Sequence, residues 1–149
     1  MIPAYILCSC VLASYSNHAT YERRLNTCIE VAESAEEHRV PVELALAVAY
    51  HESRFSNVTS HAGAMGPMQI IPKWHCPRGR REGCSLIDDG VKTLRRYLRK
   101  YKRKKRALAH WNGGNHPGRL ARGFARKVLK TYRRLVYFCR KSIDSDCDC

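Results

Sequence analysis

One carboxylate stands out in the sequence by its surroundings. On a helix, the neighbours of Glu52 at four and three residues before it and three after are Val48, Ala49 and Phe55, all apolar. Desolvation there disfavours the ionised form, and the negative end of a helix dipole pushes the same way. A carboxylic acid kept protonated near neutral pH is what protonation of a glycosidic oxygen requires. The other acids that follow in the chain are Glu82, Asp88, Asp89, Asp144, Asp146 and Asp148. Glu82 falls in a loop, Asp88 and Asp89 suit the cap of a helix, and the last three sit in the tail. None is an evident second carboxylate of the kind most glycosidases pair with their acid.

The elements that must position Glu52 read as helices. Thr20 to His38 is amphipathic, with Leu25, Cys28, Ile29, Val31 and Ala32 at helical offsets. Val40-Pro41 ends it, because the residue before proline is driven out of the helical region. Pro41 then suits the start of a helix from Val42 to about Arg54 that is apolar nearly all round, as a central buried helix should be. Residues 56–66 read as loop, and 66–72 as a short apolar stretch bounded by prolines. Further helices are expected from Asp88 or Asp89 through Tyr101, from Ala107 to Trp111 with a stop at Gly113-Gly114, and from Leu120 to Cys139. Tyr97, Leu98 and Tyr101 fall at offsets that suit a buried face. The fold class is mainly α, in one domain at residues 17–141, with no alternation that would make a sheet.

Charge is unevenly spread. The chain has 149 residues and a net charge of +14. Residues 1–72 hold four basic and seven acidic residues, whereas residues 73–149 hold 23 and six. Nine of those cations lie between Arg95 and Arg106. Such a field implies a polyanionic environment: nucleic acid, anionic lipid or cell-wall polymer. A nucleic-acid-binding module and a membrane-active basic helix, Leu120 to Arg140, are the non-enzymatic alternatives.

Residues 1–16 hold an apolar run, Ile2–Leu12, too short to span a bilayer. It reads either as a signal peptide, with Ser14-Tyr15-Ser16 at the cleavage region, or as a buried apolar segment. Eight cysteines imply an oxidising compartment. If Cys8 and Cys10 leave with a signal, Cys28, Cys76, Cys84, Cys139, Cys147 and Cys149 remain. Cys76 and Cys84 enclose a short basic loop and are the first candidate disulfide. The rival, a zinc site from His75, Cys76, Cys84 and a fourth ligand, matches no common spacing. No metal or cofactor is expected. Residues 142–149 form a Cys- and Asp-rich tail read as mobile.

Three segments occur in order: His51-Glu52-Ser53-Arg54-Phe55, then Ser60-His61-Ala62-Gly63-Ala64-Met65-Gly66-Pro67-Met68-Gln69-Ile70, then Ala107-Leu108-Ala109-His110-Trp111-Asn112-Gly113-Gly114. Together they resemble the signature motifs of the lytic transglycosylases with a soluble-lytic-transglycosylase, goose-lysozyme-like domain, over about residues 22–135. The resemblance implies a single lysozyme-like helical domain with a substrate groove. It implies Glu52 as the sole catalytic acid and base, with Ser53 supporting the helix end. It further implies contacts to glycan from Ser60, Gly63, Gly66, Met68, Gln69, Ile71, Trp111 and Asn112. Ile71 falls where many members carry a groove-lining Met.

Two departures stand out. Trp111 replaces a Tyr thought to assist the carboxyl, so polar assistance there is altered or lost, since an indole can donate but not accept. Pro67 replaces the usual Leu. The activity implied is cleavage of the N-acetylmuramic acid–N-acetylglucosamine bond of peptidoglycan with closure of a 1,6-anhydro ring; hydrolysis on the same fold is the alternative. The expected partners are peptidoglycan strands, with anionic envelope polymers or a membrane surface met by the basic half, and no specific nucleic acid; the protein is expected as a monomer. The expected location is the periplasm or envelope after export, or alternatively a virion or phage acting on a host wall.

Overall fold

The computed structural model describes residues 3–13 and 18–141, with the side chains of His18, Cys139 and Arg140 left aside. Ser14-Tyr15-Ser16 and the tail 142–149 lie outside the described residues, as do any pairings of Cys147 and Cys149. Seven α-helices make up the described chain: α1 Ala4–Leu12, α2 His18–Glu37, α3 Val42–Ser53, α4 Pro72–His75, α5 Asp88–Tyr101, α6 Lys104–Gly113 and α7 Arg119–Lys141. No strand is present among the described residues; the loop after α3 contains only isolated bridges, Thr59 with Met65 and Met65 with Ile70.

The core is built on α3. Leu44, Ala45, Leu46, Ala47, Val48 and Ala49 are all buried, so every face of this helix is covered. Its small side chains let α2 and α7 approach, while α6 bridges α5 and α7. Burying a Leu side chain contributes about 1.5–3 kcal/mol, so Leu44 and Leu46 are major anchors. Pro41 stands just before the helix, as N-cap, rather than inside its first turn.

The boundaries follow local chemistry. Asp88 and Asp89 lie inside the first turn of α5 and do not cap it. Ser85 does that work: its Oγ accepts the N–H of Asp88 (3.2 Å), and Asp89 returns an acceptor to the N–H of Ser85 (2.9 Å). Asp88 is instead clamped to α2, hydrogen-bonded by Ser34 and His38 and ion-paired with Lys92. Gly114 ends α6 at φ +64°.

The apolar run at the start forms α1, whose Leu7, Cys8, Val11 and Leu12 are buried in the core. Cys8 is bonded to Cys28 of α2, and Cys10 also carries a disulfide. Cys76 and Cys84 are bonded to each other, closing the basic loop, so neither thiolate is free for zinc. None of the described helices is long and apolar enough to cross a membrane.

Candidate active site

Glu52 sits in the last turn of α3, partly buried beside Val48, Ala49 and Phe55, each of which is almost wholly buried. The helix stops one residue later because the chain turns left-handed twice, at Arg54 (φ 55°) and Phe55 (φ 60°). Non-glycine residues adopt that conformation at a cost of about 1–2 kcal/mol each. The turn is held by the guanidinium of Arg24, which donates to the carbonyl of Arg54 (2.6 Å), and by the burial of Phe55.

Burial raises the Glu52 carboxyl to about 7, against one opposing influence, a hydrogen bond from Trp111. The indole N–H donates to Oε1 at 2.8 Å. Polar assistance from position 111 is therefore altered in kind and not lost. An indole cannot accept, so Oε1 is the acceptor oxygen, and the proton of the neutral acid belongs on Oε2. When the acid ionises, the same N–H steadies the anion.

Trp111 is itself held on two sides. The His75 imidazole lies parallel to it (centroids 6.3 Å, 9°), and Tyr97 meets it edge-on (6.0 Å). The sequence had offered His75 only as a metal ligand. It accepts the Ile71 N–H through Nδ1 (2.9 Å), which places any ring proton on Nε2, and burial with nearby Arg96 lowers its pKa. The only readable signal for this role was its position four residues after Ile71, in a turn that opens with Pro72. Tyr97 and Tyr101 are only half-buried, so they serve the site's aromatic wall more than the core.

The loop residues take distinct jobs. Ser53 donates to the carbonyl of Pro67 (2.8 Å) and accepts the N–H of Ser56 (3.1 Å), tying the end of α3 to the second motif. Pro67 thus contributes through its carbonyl, which proline retains. Gln69, at φ 50°, donates to the carbonyls of Val58 (2.9 Å) and Gly66 (3.0 Å), and Ser60 accepts the N–H of Ala64 (3.1 Å). These contacts shape the loop. Gly63 is left-handed and open, so backbone could meet a ligand there.

At Gly66 an added Cβ would lie 2.7 Å from Leu86, so its bareness admits that side chain. Met68 is fully buried on Gly90 of α5. Ile71 is half-buried beside the His75 turn, and Asn112 is exposed one residue beyond Trp111.

A helical domain of this architecture has the lysozyme-like fold. The family model of the transglycosylase SLT domain matches residues 29–131, more than half of the chain, and the protein belongs to that family. Its function is of the general peptidoglycan transglycosylase type. No curated protein and no solved structure gives a significant match.

Proposed function

We propose that the protein is a lytic transglycosylase that cleaves the β-1,4 bond from N-acetylmuramic acid to N-acetylglucosamine, with Glu52 as both acid and base. The neutral acid donates the Oε2 proton to the glycosidic oxygen as the C1–O bond breaks. The substrate's acetamido group assists at C1. The C6 hydroxyl then bonds to C1 and returns its proton to the carboxylate, leaving a 1,6-anhydro ring and consuming no water. Because Oε1 is engaged by Trp111, one oxygen performs both transfers.

The observation that carries this reading is a carboxyl held near 7 by burial, with a single neutral donor and no charged neighbour among its causes. The other described acids that follow it fit no second catalytic role: Glu82 is exposed in the disulfide loop, and Asp88 and Asp89 are committed to the start of α5. Export to the cell envelope, where oxidised cysteines persist, and attraction of the basic half to anionic wall polymer complete the proposal. Mass spectrometry of digested peptidoglycan tests it. Anhydro-muramyl ends are expected from the parent and none from Glu52→Gln; reducing ends from the parent would make it a hydrolase and overturn the proposal.

A further inference from the structure

A concavity of about 820 Å³ lies at the corner where α5 meets α6 and α7 begins. Six cations line it: Lys100, Lys102, Arg103, Lys105, Arg106 and Arg122. No acid lines it, and none of the six is ion-paired among the described residues. Its floor is aromatic, with Tyr101 stacked on His110 (3.9 Å, 4°) and Lys100 and Arg106 flanking the Tyr101 ring.

Two local features place Lys102, Lys105 and Arg106 where fold stability does not favour a cation. Lys102 ends α5 at φ 61°, where glycine is favoured and any side chain costs about 1 kcal/mol. Lys104, Lys105 and Arg106 form the first turn of α6, the positive end of its dipole, with no acid there to offset them. Both placements spend stability to concentrate charge.

The basin is also joined to the Glu52 site. Tyr101 packs on Tyr97 (5.8 Å), Tyr97 on Trp111 (6.0 Å), and Trp111 holds Glu52. Flat rings are platforms for sugar faces, whereas guanidinium and ammonium groups receive phosphate. We infer that this basin docks a phosphodiester polymer carried by the wall glycan, so that the enzyme engages strands bearing that anionic substituent. The inference rests on the wall-glycan reading for its choice of polymer, but its binding step does not depend on Glu52 chemistry.

The test uses sacculi with covalently attached phosphodiester polymer and the same sacculi stripped of it by hydrofluoric acid, which cleaves phosphodiesters. Co-sedimentation is measured on the full chain carrying Glu52→Gln, so that the wall is not consumed. Attached sacculi are expected to bind at least about tenfold tighter at low salt, and joint replacement of Lys102, Arg103, Lys105 and Arg106 by Gln should remove that advantage. Circular dichroism checks that the quadruple variant is folded. Lys102→Gly is the second variant: it should raise Tm while weakening binding about threefold, through the loss of one phosphate contact.

Equal binding of parent to attached and stripped sacculi would overturn the inference, assigning the cations to wall carboxylates or to general charge. So would a duplex DNA competitor that displaces the protein at lower charge concentration than free poly(glycerol phosphate). A parent that lacks anhydro products yet keeps the binding difference would defeat the transglycosylase reading alone.

Discussion

The end of α3 and the start of α5 each present a carboxyl, and the two are driven in opposite directions. At Glu52 burial dominates, and a single indole donor offsets only part of it, so the group rises to about 7. At Asp88 burial also pushes upward, but hydrogen bonds from Lys92, His38 and Ser34 overcome it and hold the group at about 2. Desolvation is common to both; the number and charge of the donors decide the outcome. One site therefore keeps a proton to give, and the other is a permanent anion that clamps α2 to α5.

Breaking the acid should have the largest effect. Glu52→Gln is expected to reduce turbidity clearance of wall material by about 10³-fold or more, the scale of general acid catalysis. The same change should stabilise the fold. A carboxyl raised from 4.5 to about 7 burdens the native state once solution pH exceeds 4.5, fully so above 7. Glu52→Gln should therefore gain about 3 kcal/mol above pH 7 and nothing below pH 4.5, as read from denaturant melts across that window. Matching pH profiles of stability for the two proteins would contradict the buried acid.

The donor comes next. Trp111→Phe keeps the ring but removes the N–H that lowers the Glu52 pKa, so the alkaline limb of the rate profile should move upward from about 7. Activity should drop about tenfold, the worth of one hydrogen bond to a charged group. An unshifted limb would detach Trp111 from the acid.

On the other side of the comparison, Asp88→Asn should leave the rate unchanged. It should cost about 1 kcal/mol above pH 4, since solvent screens this partly exposed group. Asp88 contributes while ionised in both states, and that contribution should fade as pH falls from about 4 toward 2. The smallest effect is expected at the α3–α7 contact, where His51 shares a hydrogen bond of 2.8 Å with Thr131. Burial and nearby cations lower His51 to about 4. Thr131→Val should cost about 0.5 kcal/mol in thermal melts without altering catalysis.

Much of this arrangement was readable in the chain. A helix apolar nearly all round that ends at Glu52 fits an ordinary surface Glu as well, and only the three ordered motifs single the residue out, whereas the Pro41 and Gly114 boundaries follow from backbone sterics. The partners of the acid were less legible. Motif order places Trp111 where Tyr is usual, but the indole contact depends on how α6 meets the end of α3, which no local pattern encodes. His75 was hidden because its role comes from a one-turn helix too short to leave a periodicity. Gly66 and Met68 hide their surroundings for a related reason: glycine and methionine in a motif look alike whatever fills the space beside them, which in the fold is Leu86 and Gly90. The opening apolar run reads the same for export as for burial, and only the distant Cys28 gives Cys8 its partner.

The seating of Trp111 has an optical consequence. The chain has two tryptophans, and Trp74 is 65 % exposed on the surface. With Trp74→Phe, all remaining indole emission would come from the ring whose N–H touches the carboxyl. Fluorescence intensity should then titrate with a midpoint near 7 and respond when an oligosaccharide binds beside Glu52, giving a label-free signal from the protein itself.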